Sequence, residues 1–307
     1  MPISVRIQFM FASLTLLQKN TRFPQTIADL FIQHGVQAEL RQLSSAPACH
    51  VWQWQMVGSV SEVVKAEIAQ ILAADKQQGV ADYVLYEGPQ APHIKLAVFD
   101  MDSTLIQAEV MDQIAYSAGI GDQIAAITAS SMRGEIDFQE SFERRLGLLK
   151  GFDCAVLDAI YNNIELMPGA ERLMVNLRKQ GVYCVILSGG FSYFADRFAQ
   201  RLGMQEAHSN PLEQVEGKLT GEISVRILDA QRKLELLADI RQQHGWPVAQ
   251  TLAVGDGAND LPMLGAAGLG VAFHAKPLVI AEAPHHVSHF GLDGLLYVLG
   301  LSDDELV

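Results

Sequence analysis

Residues 96–105 read LAVFDMDSTL: four apolar residues, then Asp100 and Asp102 with only Met101 between them. An apolar run without alternation suits a strand covered on both faces, as in a parallel α/β sheet. Two carboxylates this close disfavour each other's ionisation, so their placement at the end of a buried strand implies a cation nearby. Two later runs end as abruptly: VYCVIL (182–187) runs into SGGF (188–191), and TLAV (251–254) into GDGAND (255–260). In open parallel sheets ligands bind outside the carboxyl ends of the strands, which predicts that all three polar clusters meet at one crevice.

Between the first two runs the texture changes. Residues 105–167 carry helix-period segments such as EVMDQIAYSAG, DFQESFERRLGLLK and DCAVLDAIYNN, which predict an insertion of about four helices placed as a lid over the crevice. PLEQVEGKLTGEIS, with Gly217 and Gly221, predicts a short hairpin.

Upstream, the pattern predicts a strand at 3–10, where Val5, Ile7, Phe9 and Phe11 alternate with other residues, and a helix at 24–34. Strands at 36–43 and 49–57, a helix at 61–77 and a strand at 80–86 follow. That order, βαββαβ, is a small ferredoxin-like α+β unit. EGPQAPH (87–93) has the look of an interdomain connection, and places the division at about residue 90, into 1–90 and 91–307.

The 307 residues are 49% hydrophobic, enough for a sizeable core in about two domains. Acidic residues outnumber basic ones 35 to 22, and the net charge of −13 opposes binding to nucleic acid or anionic membranes. Cys49, Cys154 and Cys184 are few, odd in number and far apart, so they offer no disulfide framework and fit a cytoplasmic protein. Arg6 before IQFMFASLTLL imitates a secretion signal, but no small-residue cleavage site follows, and the segment reads as a strand. No other apolar stretch is long enough to span a membrane.

Asp100 and Asp102 with a third carboxylate, Asp256, make an oxygen-rich site for a hard cation that keeps several waters, which describes Mg²⁺. Such a cation would screen the aspartates and admit a dianionic phosphate, leaving one carboxylate to attack phosphorus. SGG after a buried run offers the Ser188 hydroxyl and the Gly189 N–H at the start of a helix, an anion-binding arrangement. Asn259 and Asp260 would serve orientation.

DMDST, SGGF, a lysine in QRKLELL and GDGANDLPML resemble, in order, the four motifs of the haloacid dehalogenase superfamily. Across residues 94 to 290 the chain is similar to its phosphoserine phosphatase branch, through FDMDSTLIQAEV with Glu109, RGEIDFQESFERR with Arg145, and LSGGF. The resemblance implies a Rossmann-like core with a helical cap, a Mg²⁺ cofactor and an aspartyl-phosphate intermediate. It implies Asp100 as nucleophile and Asp102 as general acid and base. Mg²⁺ would be held by Asp100, the Asp102 carbonyl and Asp256, with Asp260 in support. Ser188, Gly189 and Lys233 would hold the phosphoryl group, which Asn259 would help to orient. Lys233 is preferred to its neighbour Arg232 because LELL follows it.

For a phosphoserine substrate, Glu109 would meet the ammonium and Arg145 the carboxylate, with Arg144 competing for that place and Phe138 and Met132 as apolar lining. The first domain resembles an ACT module, which implies amino-acid binding at a subunit interface; the usual Asp-x-x-Gly turn is absent from FASLTLLQKN, so a homodimer contact is expected at least as much as a ligand site. Two other functions compete: a phosphatase or phosphotransferase for another small phosphomonoester such as phosphohomoserine, and a non-catalytic amino-acid-binding regulator. His285, His286 and His289 read as surface or strand-end residues, and Cys184 as a small buried hydrophobe.

Overall fold

A computed structural model describes residues 10–307, apart from the side chain of Met132. The expected strand at 3–10 lies outside the described residues but for Met10, which precedes the first strand described. That strand, β1 (Phe11–Gln18), occupies FASLTLLQ, so the stretch that lacks the Asp-x-x-Gly turn is itself a strand and not the loop after one. The chain continues as α1 (Gln25–Gln33), β2 (Ala38–Ala46), β3 (Cys49–Val57), α2 (Glu62–Gln77) and β4 (Ala81–Gly88). The strands pair antiparallel in the order β2-β3-β1-β4, the ferredoxin-like arrangement.

Every residue of β1 from Ala12 to Gln18 is buried, which explains why its position escapes an alternation rule. Ala12, Leu14 and Leu16 pack with Ile27, Phe31, Val64 and Ile68 of the two helices. On the opposite face Leu17, Val51, Val84 and Tyr86 join one apolar cluster with Leu295 and Val298 near the chain's other end. A central strand covered on both faces loses the period of two that marks a half-buried one.

The second sheet holds six parallel strands, ordered β12-β11-β10-β5-β6-β7. Their connections follow the chain. From β5 (Leu96–Phe99) it enters the helical insertion, α3 (Val110–Ser117), α4 (Gly121–Met132), α5 (Phe138–Leu148) and α6 (Leu157–Asn163). It returns through α7 (Ala170–Lys179) to β6 (Tyr183–Phe191), α8 (Ser192–Leu202) and β7 (Glu206–Asn210). A hairpin follows, β8 (Gln214–Val215) and β9 (Lys218–Leu219), turning on Glu216 and Gly217, both at positive φ. Then come α9 (Ala230–Gln243), β10 (Thr251–Gly255), α10 (Leu261–Ala266) and β11 (Leu269–Phe273). The chain closes with α11 (Pro277–Glu282), β12 (His285–Val287) and α12 (Gly294–Val298).

All residues of β5, β10 and β11 are buried, as continuous apolar runs require in a sheet with both faces covered. His285 and His286 belong to β12, which packs against β4 of the first unit, so they are half-buried at the junction of the two sheets and not surface residues. There His286 Nε2 meets Lys76 Nζ, and Asp82 Oδ2 accepts the Ser288 and His289 amides at 2.9 and 2.7 Å. Among the described residues no helix is long and apolar enough to cross a membrane.

Candidate active site

The Asp100 amide donates to the Val254 carbonyl at 2.9 Å, extending the β5–β10 pairing by one bond before the backbone turns. Asp100 is thereby placed at the carboxyl end of β5 beside the loop that follows β10. Its carboxylate is nearly sealed: Oδ1 accepts the Met101 amide at 2.7 Å and Oδ2 lies 2.9 Å from Lys233 Nζ. Lys233 projects from the first turn of α9, whose N-cap Asp229 accepts the Arg232 amide at 2.7 Å. Its ammonium also donates to Asp260 Oδ1 at 2.7 Å, and the residue is 0% exposed. Arg232 points elsewhere, to Glu235 and Asp239 at 3.2 and 3.6 Å, as the ~100° between successive helix positions requires.

Oxygens of Asp100, Asp256 and Asp260 lie within 4.8 Å of one another. Burial, then Asp260, pushes Asp100 up to about 8, against the pull of Lys233, and burial with Asp260 pushes Asp256 up to about 6. Burial works to lower Lys233, yet Asp100 and Asp260 hold it above the usual lysine value. One buried ammonium is therefore too little positive charge for three carboxylates, and a hard divalent cation ligated by oxygen fits this donor set. Asp260 has both oxygens engaged, with Lys233 and with the Gly257 amide at 3.0 Å, so it braces the loop. A Cβ at Gly255 would come within 2.4 Å of that carboxyl group, a contact that only glycine avoids here. Thr104, absent from the sequence reading, donates its hydroxyl to Asp256 Oδ1 at 3.0 Å and is fully buried.

Asp102 lies against the end of β6, where a Cβ on Gly190 would come within 3.0 Å of its Oδ2. Burial, then Glu109 and Asp100, raises its carboxyl well above the usual range, and Oδ1 has no hydrogen-bond partner among the described residues. Ser188 and Gly189 come close from β6, but not as the start of a helix. The strand continues through Phe191 and α8 begins at Ser192. The Gly190 amide turns onto Ser188 Oγ at 2.9 Å, and the pairing with β7 shifts register between Leu187 and Phe191, which bends the strand end around the site. Asn210 fixes that bend: its Nδ2 donates to the Gly189 carbonyl at 2.9 Å and its Oδ1 accepts the Leu228 amide at 2.8 Å. Nothing local in SNPL marks Asn210 for this task.

These groups open onto a cavity of about 580 Å³ that reaches from Asp100, Asp102 and Asp256 to the insertion. Glu109, Arg145, Ser188, Gly189, Asn259 and Phe138 line it, whereas the side chain of Met132 is outside the described residues. Glu109 accepts from Ser103 Oγ at 2.8 Å, and burial raises its carboxyl. Ser103 holds φ at 55°, a strained value for a non-glycine residue. Arg145 donates Nε to the Ser141 carbonyl at 3.2 Å, and burial lowers its pKa against the pull of Asp112 and Glu109. Arg144 is exposed and pairs with Glu140 one turn back on the same helix.

A family model described as haloacid dehalogenase-like hydrolase matches residues 97–265, more than half of the chain. The chain belongs to that family. Over 212 residues, 69% of its length, it is 46% identical to the phosphoserine phosphatase SerB2 of Mycobacterium tuberculosis, of which it spans 52%. It spans about half the length of the curated relatives that match it first. Among solved structures, a HAD family hydrolase of Salmonella enterica superposes with a TM-score of 0.82 at 29% identity, over 96% of this chain and 99% of that one. A probable phosphoserine phosphatase of Vibrio cholerae gives 0.75 at 35% identity, over 94% and 86%. The Salmonella match covers both sheets, the βαββαβ unit and the parallel core alike.

Proposed function

We propose that the protein is a Mg²⁺-dependent phosphoserine phosphatase that forms a phosphoryl-enzyme on Asp100. The observation that carries this reading is one cavity lined both by Asp100, paired to a buried lysine, and by an acid, Glu109, and a base, Arg145, from the insertion. A phosphomonoester that also bears an ammonium and a carboxylate matches both sets of groups. The names of the relatives point to the same substrate.

On this reading the Asp100 carboxylate attacks phosphorus and the bond to the serine oxygen breaks. Asp102, kept protonated by burial and its acidic neighbours, delivers its proton to that oxygen. Water then attacks phosphorus, Asp102 takes its proton, and the bond to Asp100 breaks. Lys233, the Ser188 hydroxyl and the Gly189 amide hold the phosphoryl oxygens while charge redistributes, and Asn259 orients the group. Mg²⁺, held by Asp100, Asp256 and the Asp102 carbonyl, would supply the countercharge that admits a phosphate dianion.

Residues 91–307 would carry the chemistry, with α3 to α6 as a cap, and residues 1–90 would form a homodimer contact. Phosphate release from a panel of phosphomonoesters, with Mg²⁺ and after chelation, tests the reading. Phosphoserine should be the best substrate and chelation should abolish turnover; preference for a phosphate lacking the amino-acid end would refute it.

A further inference from the structure

The cavity wall carries a second cation that the reaction as derived does not use. Lys276 lines it from the loop between β11 and α11, opposite the insertion that carries Arg145. That loop is held stiffly. His274 adopts φ 47°, its amide donates to the Val287 carbonyl at 2.8 Å, and its Nε2 lies 2.8 Å from the Phe290 carbonyl. Lys276 then caps α11, which starts on Pro277, and its carbonyl accepts the Ile280 amide at 3.0 Å. The side chain is exposed, and among the described residues no carboxylate lies within ion-pair distance of its ammonium. The rare conformation sits at His274, two residues before Lys276, and an exposed, unpaired lysine on a cavity wall is free to meet a ligand.

Among the described residues the lining carboxylates are Asp100, Asp102, Glu109, Asp112 and Asp256, and the lining cations are Arg145 and Lys276. The phosphate end is already served by Lys233, buried beneath Asp100. Lys276 is exposed rather than buried beneath Asp100, so it is free to meet the amino-acid part of the ligand, where an ammonium would repel it and only a carboxylate would attract it. Lys276 lines the same cavity as Glu109 and Arg145, and its charge pulls the Glu109 carboxyl downward against the larger push of burial.

We infer that Lys276 is a specificity-determining residue that shares the substrate carboxylate with Arg145, one cation from the core and one from the cap. This rests on the phosphoserine reading above. A carboxylate held from both sides ties the cap to the core, so closure would depend on the group that distinguishes phosphoserine from simpler phosphates.

The test compares wild type with Lys276→Gln and Lys276→Arg on phosphoserine and on phosphoethanolamine, which keeps the ammonium and phosphate but lacks the carboxylate. Inhibition by inorganic phosphate is measured alongside. A rim cation, between an exposed and a desolvated pair in strength, should be worth about three- to ten-fold. Lys276→Gln should raise KM for phosphoserine by that factor with kcat little changed, and Lys276→Arg should restore most of it. KM for phosphoethanolamine and the inhibition constant of phosphate should stay put. Equal losses on both substrates, a weakened phosphate inhibition, or an unchanged KM for phosphoserine would overturn the inference. Failure of the wild type to hydrolyse phosphoserine would instead overturn the reading beneath it.

Discussion

Arg144 and Arg145 are adjacent on α5, and helix geometry sends them in different directions: one to an exposed pair with Glu140, the other into the cavity. If Arg145 grips a carboxylate in a closed pocket, removing it should cost about 2–5 kcal/mol, the range for a desolvated charge pair. Arg145→Ala should therefore lower kcat/KM for phosphoserine by roughly thirty-fold or more, since each 1.36 kcal/mol is about a factor of ten. Arg144→Ala should leave it nearly unchanged. Steady-state kinetics on both variants decides the matter, and equal effects would mean that the cap binds no carboxylate there. Asp100, Asp102 and Asp256 were legible because carboxylates rarely stand at the ends of buried runs without a reason, whereas Glu109, Arg145 and Lys233 lie on or beside helices and were picked out only by the resemblance of their motifs to a family. Thr104, Asn210 and Lys276 were not legible, because each acquires its task from a partner remote in sequence: Asp256, Leu228 and the cavity wall.

At the scale of elements, the bend at the end of β6 decides where Ser188 and Gly189 stand. It hangs on Asn210, which satisfies a carbonyl on one segment and an amide on another. Leaving such buried groups unpaired costs about 1–3 kcal/mol each. Asn210→Ala should lower stability in urea titration by about that amount and also reduce turnover, whereas a loss of stability with full activity would show that the bend survives without it. The strands β5, β6 and β10 were readable because parallel strands buried on both faces are unbroken apolar runs. The same burial hid β1: with α1 and α2 on one side and an apolar cluster that includes Leu295 and Val298 on the other, Leu14 to Leu17 show no alternation. The helix start expected at Ser188 failed for a related reason, since two glycines can continue a bent strand as readily as they can open a helix.

For the whole molecule, the junction between the two sheets is titratable. Burial lowers His285 and His286 to about 4 from the usual 6.5, His286 with help from Lys76. Below about 6.5 the unfolded chain takes up protons that the folded rings refuse, so their contribution to stability is complete above pH 6.5 and is lost as pH falls toward 4. Asp82 beside them is raised by burial and acts in the opposite sense at low pH, so variants isolate the histidines. Thermal melts between pH 7.5 and 5 should show a smaller fall for His286→Gln than for wild type; identical slopes would place the ring in solvent. The central claim concerns Asp100, and the direct measurement is to quench the enzyme during turnover of phosphoserine, reduce with borohydride, and map the modified residue by peptide mass. An acyl phosphate on Asp100 predicts homoserine at position 100, formed only with substrate and Mg²⁺ and absent from Asp100→Asn. Turnover without modification at that position, or modification at another carboxylate, would contradict the account.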